Sequence, residues 1–176
     1  MKNLSLWQLA GVTFTAVFGT LLHFLYNWTG QNLCIATFSA VNESTWEHLK
    51  LFFFPAFLFA LIQSLFLYKD VSGFWSIKLF GAAVGLLLIP ILFYTVSGAF
   101  GSPPDWLNIL FFFLAIFTAY TVEFYLFKRS AFQESSPLPP LLIFLTISCA
   151  FFLFTFFPPK IPLFECPVTG GYGIYA

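Results

Sequence analysis

The chain has 176 residues, of which 60% are hydrophobic and 8% are charged, and its mean hydropathy is +0.90. A soluble domain carries about 25% charged residues, so this composition excludes an ordinary soluble protein. The formal net charge is zero, which excludes the strongly basic surface that nucleic acid requires. The 28 phenylalanines suit a surface that faces lipid, so the expected partner of the chain is the lipid bilayer.

Five stretches of about 20 mostly apolar residues predict five membrane-spanning helices. In chain order they cover residues 6–26, 44–68, 74–96, 105–127 and 138–157. Trp7 and Tyr26 lie at the two ends of the first stretch, where aromatic residues are common at a membrane interface. The predicted fold class is therefore an all-α integral membrane bundle, formed by a single transmembrane domain over residues 1–176.

The segments outside these helices are short or broken by turn residues. Residues 27–41 are too short and too polar to span a membrane and predict an outer loop. Residues 158–176 begin with two prolines and contain several glycines, so they predict a non-helical tail. Because this tail is apolar, we expect it to cover the outer face of the bundle. The alternative is that it enters the membrane interface.

The distribution of lysine and arginine predicts the orientation in the membrane, because cytoplasmic loops carry the excess of these residues. With the N-terminus inside, the inner side holds Lys2, Lys69, Lys78, Lys128 and Arg129. The outer side then holds only Lys50 and Lys160. The sequence therefore predicts that the N-terminus lies inside and the C-terminus outside.

The segment Asn42–Lys50 is the only dense group of charged residues in the chain, and it begins the second predicted helix. Ser44 and Glu47 have the spacing of a capping box, in which each side chain accepts a hydrogen bond from the other residue's backbone amide. Glu43 and Glu47 also suit a helix N-terminus, where the helix dipole favours negative charge. A purely structural role is thus one interpretation of both glutamates.

Capping does not account for the two histidines, which the topology places at the same membrane depth as these glutamates. Two imidazoles and two carboxylates form a typical site for a divalent metal such as zinc. The predicted metal ligands are His23, Glu43, Glu47 and His48, with Asn42 and Ser44 completing the binding pocket. The alternatives are a proton-transfer pair, a hydrogen-bonded network without metal, and separate residues at the interface.

The remaining ionisable and thiol groups predict structural roles. Lys78 and Glu123 lie near the inner ends of their helices and predict a structural ion pair. The three cysteines have no CxxC spacing. Unpaired thiols are the favoured interpretation of Cys34 and Cys166, and a disulfide between them is the alternative.

The chain resembles a family of short multi-pass bacterial membrane proteins that is catalogued only as a domain of unknown function. The resemblance covers most of the chain and rests on His23, on the run Asn42–Leu51 with its Asn-Glu-Ser-x-Trp-Glu-His pattern, and on the ending Pro162–Gly173. It implies a bacterial inner-membrane location and no activity. In this family an aspartate often stands at the position of Cys166, and the cysteine weakens any role for this position as an acid.

The leading hypothesis is a binding or transport protein, whose outer polar pocket takes a cation, a proton or a polar headgroup. The first alternative is an intramembrane metal-dependent hydrolase acting on lipids, with Glu47 and His48 as the candidate catalytic residues. In it a metal activates water and the glutamate that does not bind the metal acts as the base. The second alternative is an accessory subunit that packs on a membrane protein partner, or a homo-oligomer.

Overall fold

A computed structural model describes residues 3–133 and 136–175. The helices are α1 (Leu4–Trp28), α2 (Leu33–Ala36), α3 (Thr45–Leu67), α4 (Phe74–Phe100), α5 (Asp105–Arg129) and α6 (Leu138–Phe156). A short 3₁₀ turn at Tyr68–Asp70 lies between α3 and α4, and two more at Pro162–Phe164 and Gly173–Tyr175 lie after α6. The described residues contain no strand. Lys2, which enters the predicted orientation, and part of the polar segment after α5 (134–135) lie outside the described residues.

Five helices are long and apolar enough to cross a membrane: α1, α3 with the turn after it, α4, α5 and α6. This confirms the predicted all-helical fold with five such helices. The helix ends differ from the predicted ones by up to four residues. The largest difference is at α4, which continues to Phe100 and ends where Gly101 adopts a positive φ of 84°.

Four helices form a ring, because α1 packs on α3, α3 on α4, α4 on α5, and α5 on α1. Helix α6 packs outside this ring against α3 and α4. At Gly19 the backbone of α1 approaches α3 so closely that the Leu51 carbonyl occupies the place of a side chain. Small residues permit such close packing between helices in membrane proteins.

The predicted outer loop after α1 is more ordered than the sequence suggests, because it contains the short helix α2. Asn32 begins α2, and its side-chain oxygen accepts a hydrogen bond from the backbone amide of Cys34 at 2.9 Å. Ser39 then ties the loop to α1, since its hydroxyl accepts from the Tyr26 amide and donates to the Leu22 carbonyl. The loop is thereby held against the end of α1, directly before the segment that starts α3.

Candidate functional site

Three side chains with metal-binding chemistry meet at one end of the ring. His23 lies near the end of α1, Glu43 lies before α3, and His48 lies in the first turns of α3. Glu43 Oε1 is 3.9 Å from His23 Nε2, and Glu43 Oε2 is 3.5 Å from His48 Nε2. The centroids of the two imidazole rings are 5.4 Å apart. One ligand atom from each residue lies within 4.8 Å of the other two.

The orientation of His48 is fixed by the backbone of the same helix. Its Nδ1 lies 2.9 Å from the carbonyl oxygen of Ser44. A carbonyl oxygen only accepts hydrogen bonds, so Nδ1 carries the proton and donates it to Ser44. In the neutral ring the lone pair is then on Nε2, which faces Glu43. This is the usual arrangement of a metal-binding histidine, whose second nitrogen donates to a carbonyl or carboxylate.

The cluster of His23, Glu43 and His48 is open on one side. The exposed fractions of these side chains are 29%, 50% and 32%. Three protein ligands with an accessible fourth position are typical of zinc sites that bind water or another exchangeable ligand. The geometry therefore allows both metal binding and access of a small ligand from outside.

Glu47 does not join this cluster, although the sequence predicts it in the same pocket. Its side chain is 1% exposed and forms an ion pair of 2.5 Å with Lys50. Its carboxylate also accepts hydrogen bonds from the Val41 amide and the Thr155 hydroxyl, each at 3.1 Å. The chain before Ser44 is not helical, so Glu43 and Glu47 lie on no common helix face and point to different neighbours.

Lys50 is the cation of a buried network beside the site, and its side chain is 0% exposed. Its amino group donates to the Ala36 carbonyl at 2.8 Å and to the Thr155 hydroxyl at 2.9 Å. Thr155 was not predicted, since it lies in the apolar run of α6 and is distant in sequence from both partners. The network of Glu47, Lys50 and Thr155 joins α2, α3 and α6 and supports the segment that presents Glu43.

Asn42 and Ser44 support the site without belonging to the group of ligands. The Ser44 hydroxyl accepts from the Glu47 amide at 3.4 Å, which confirms Ser44 as the N-cap of α3. The second half of the predicted capping box is wrong, because the Ser44 amide donates to the side chain of Asn42 at 2.8 Å. The Asn42 amide group in turn donates to the carbonyl of Gly173 at 2.8 Å.

The C-terminal tail contacts the same end of the bundle. The ring of Phe164 lies 4.7 Å from that of Trp46 in the first turn of α3. Burial raises the pKa of the Cys166 thiol, but hydrogen bonds from Thr169 and from the Glu43 amide outweigh it and lower that pKa below its usual value. Cys34 and Cys166 are both unpaired, so the disulfide alternative is wrong.

The fold and the cluster define a class of protein: an all-helical bundle, with helices long and apolar enough to cross a membrane and two histidines and a glutamate gathered at one end. The chain belongs to a family of unknown function (DUF6512), whose model matches residues 1–174. This match confirms the resemblance to a family of unknown function. Searches of curated proteins and of solved structures found no match.

Proposed function

We propose that this chain is a multi-pass membrane protein that binds a divalent metal ion of the zinc class through His23, Glu43 and His48. The single observation that carries the proposal is the convergence of three ligand atoms within 4.8 Å of one another. They come from α1, from the segment before α3 and from α3 itself.

The membrane location is supported by the surface of the bundle. Leu65 and Phe100 are 81% and 87% exposed, and many other large apolar side chains are exposed on the same helices. Such a surface is unfavourable in water and favourable in hydrocarbon. Lys69 follows α3, and Lys128 and Arg129 end α5, which supports an orientation with the N-terminus inside. The bacterial inner membrane stays a prediction.

The distances in the cluster suit a metal ion. Ligand atoms about 2.0–2.2 Å from a tetrahedral zinc lie roughly 3.3–3.6 Å from one another. The two distances from the Glu43 carboxylate to the imidazole nitrogens, 3.5 and 3.9 Å, are close to this value. These two distances run to different oxygens of Glu43, and the three ligand atoms lie within 4.8 Å of one another, so side-chain rotation must bring them together on the ion. A proton shared between one carboxylate and one imidazole would not explain why a second imidazole is present.

A binding role is favoured over a hydrolase because the predicted base is already committed. The hydrolase hypothesis needs a second carboxylate beside the metal to take a proton from water. Glu47 was the candidate, but it is buried and paired with Lys50. The tail is proposed to cover the site from outside. The hydrogen bond from the Asn42 side chain, next to Glu43, to the carbonyl of Gly173 in the tail supports this placement. The accessory-subunit alternative rests on the apolar surface alone, which lipid also explains.

Elemental analysis of the purified protein tests the proposal. The protein is loaded with zinc in detergent and freed of unbound metal, and we expect about one zinc per chain. His23→Ala, His48→Ala and Glu43→Gln should each lower zinc affinity at least about tenfold, because each removes a ligand. Asp105→Asn is the matched control for Glu43→Gln, since Asp105 is an exposed carboxylate outside the cluster.

The proposal is wrong if the loaded protein holds no stoichiometric metal. It is also wrong if both histidine variants keep the metal content of the unchanged protein. Circular dichroism of each variant distinguishes the loss of a ligand from the loss of the fold.

A further inference from the structure

A second group of buried polar side chains lies inside the ring of four helices, and nothing in the metal proposal uses it. Each helix of the ring contributes one residue: Gln8 from α1, Gln63 from α3, Lys78 from α4 and Glu123 from α5. All four are buried, with exposed fractions between 0% and 6%. We call these four residues the polar layer.

Lys78 and Glu123 form the charged half of the polar layer. Lys78 Nζ donates to Glu123 Oε2 at 2.6 Å, which confirms the predicted ion pair. Nζ also lies 4.8 Å from the centroid of the Tyr120 ring. Gly81 makes room for the pair, because a side chain at this position would overlap the Glu123 carboxyl group. The two charges are therefore held tightly and neutralise each other.

The two glutamines lie at the same level of the bundle. Gln8 lies beside Glu123. Trp7, the residue before Gln8, packs against Phe59 and Phe66 of α3, with ring centroids 6.2 and 5.2 Å apart. Gln63 lies on α3 between these two phenylalanines, one turn after Phe59. The layer thus crosses the ring at one height, near the ends of α1, α3 and α5 that lie away from the cluster of His23, Glu43 and His48.

The side chains of the two glutamines lack well-formed hydrogen bonds. Oε1 and Nε2 of Gln63 are buried without a hydrogen-bond partner within the part of the chain that the structure describes. The Gln8 amide is within reach of the Glu123 carboxylate, but neither of its polar atoms makes a hydrogen bond of normal geometry to a described residue. Burying an amide without a partner is costly, and buried polar groups in proteins nearly always have one. Because Gln8 and Gln63 lie at the level of the ion pair, their poorly satisfied amides indicate that a small hydrogen-bonding molecule belongs in the layer.

We propose that the polar layer is a buried water-binding site, in which water bridges the amides of Gln8 and Gln63 to the Lys78–Glu123 pair. Buried waters typically bond about three otherwise unsatisfied polar groups, and each glutamine both donates and accepts. An ion is unsuitable, because the layer already balances one positive and one negative charge. A larger ligand is unsuitable too, because the ring is closely packed around Gly81.

The stability of Gln63→Met and Gln8→Met tests this site. If no water binds, methionine removes two unsatisfied groups at similar volume, and the thermal midpoint Tm rises. If water binds, the variant removes two of its partners, and we expect Tm to fall by about 2–4 °C. Gln133→Met is the matched control, since Gln133 is exposed and its replacement should leave Tm unchanged.

A direct measurement on the unchanged protein keeps the proposal testable if a variant does not fold. With ¹⁵N-labelled glutamine in lipid nanodiscs, we expect cross-peaks between water and the side-chain amides of Gln8 and Gln63. The absence of cross-peaks from both amides overturns the proposal, and so does a rise in Tm in both methionine variants. Zinc content should be unchanged in Gln63→Met, so this site and the metal site can fail separately.

Discussion

Lys50→Met removes the cation from the buried network that joins α2, α3 and α6. The Lys50 amino group is 2.5 Å from Glu47 and also donates to Ala36 and Thr155. Methionine is close in volume to the lysine stem, so packing is largely kept while the charge and its contacts are lost. Glu47, which is 1% exposed, then remains as a buried carboxylate without a counter-ion.

The expected loss of stability is large because the pair is fully buried. Removing one partner of a buried ion pair costs about 3–5 kcal/mol. The Ala36 carbonyl also loses its donor, which costs about 1–3 kcal/mol, but effects within one network do not add fully. We expect Lys50→Met to lower the free energy of unfolding by about 4 kcal/mol. The double variant Glu47→Gln with Lys50→Met leaves no buried charge and should recover at least about 2 kcal/mol of this loss.

Reversible unfolding in mixed micelles, followed by the fluorescence of the five tryptophans, measures both variants. If Lys50→Met lowers the free energy of unfolding by less than about 1 kcal/mol, the Glu47–Lys50 pair contributes no more than an exposed ion pair does. That result would contradict the large cost expected for a buried unpaired carboxylate. A double variant that is no more stable than the single one would contradict it as well, because the cost would then not come from an unpaired charge.

Three further predictions concern packing, pH and the tail. Gly19→Ala places a methyl group against the Leu51 carbonyl and should lower the free energy of unfolding by about 1–3 kcal/mol. In the control Gly98→Ala the methyl group meets no atom within 4 Å, so the free energy of unfolding should not fall. Bound zinc should be released on dialysis at about pH 5 and kept at about pH 7.5, because only neutral imidazole binds metal. Asn42→Ala loses the hydrogen bond to Gly173 and should speed carboxypeptidase digestion of the tail.

Each of these three has an outcome that contradicts it. Equal unfolding free energies for the two alanine variants would contradict the close approach of α1 and α3. Zinc retained at acid pH would indicate that histidines do not hold it. A digestion rate unchanged by Asn42→Ala would mean that this hydrogen bond does not hold the tail.

The helices are readable from the sequence because each depends on a local run of apolar residues. The exact end of α4 was not readable, since Ser97 and Gly98 resemble a loop. The helix nevertheless continues to Phe100, where a glycine with positive φ ends it. In the proposed membrane a helix satisfies its own backbone hydrogen bonds, which favours this continuation.

The candidate site was only partly readable, because it depends on which helices pack together. Equal membrane depth was enough to bring His23, Glu43 and His48 into one hypothesis. Equal depth also suggested Glu47, which pairs with Lys50 instead, since depth does not say which side of a helix faces which partner. Thr155, 108 residues from Glu47, was invisible without tertiary contacts. Gln8 and Gln63 carried a usable signal, as isolated glutamines in apolar runs at similar predicted depth.

If the chain spans a membrane as proposed, the two buried ion pairs differ in a way that bears on how it enters the bilayer during synthesis. Glu47 and Lys50 lie three residues apart on α3, so they neutralise each other once that helix forms. Lys78 and Glu123 lie on α4 and α5, and an unpaired charge in hydrocarbon is costly. We expect a chain truncated after α4 to insert poorly and Lys78→Met to restore its insertion. We therefore expect α3 to enter lipid alone and α4 to enter it only together with α5.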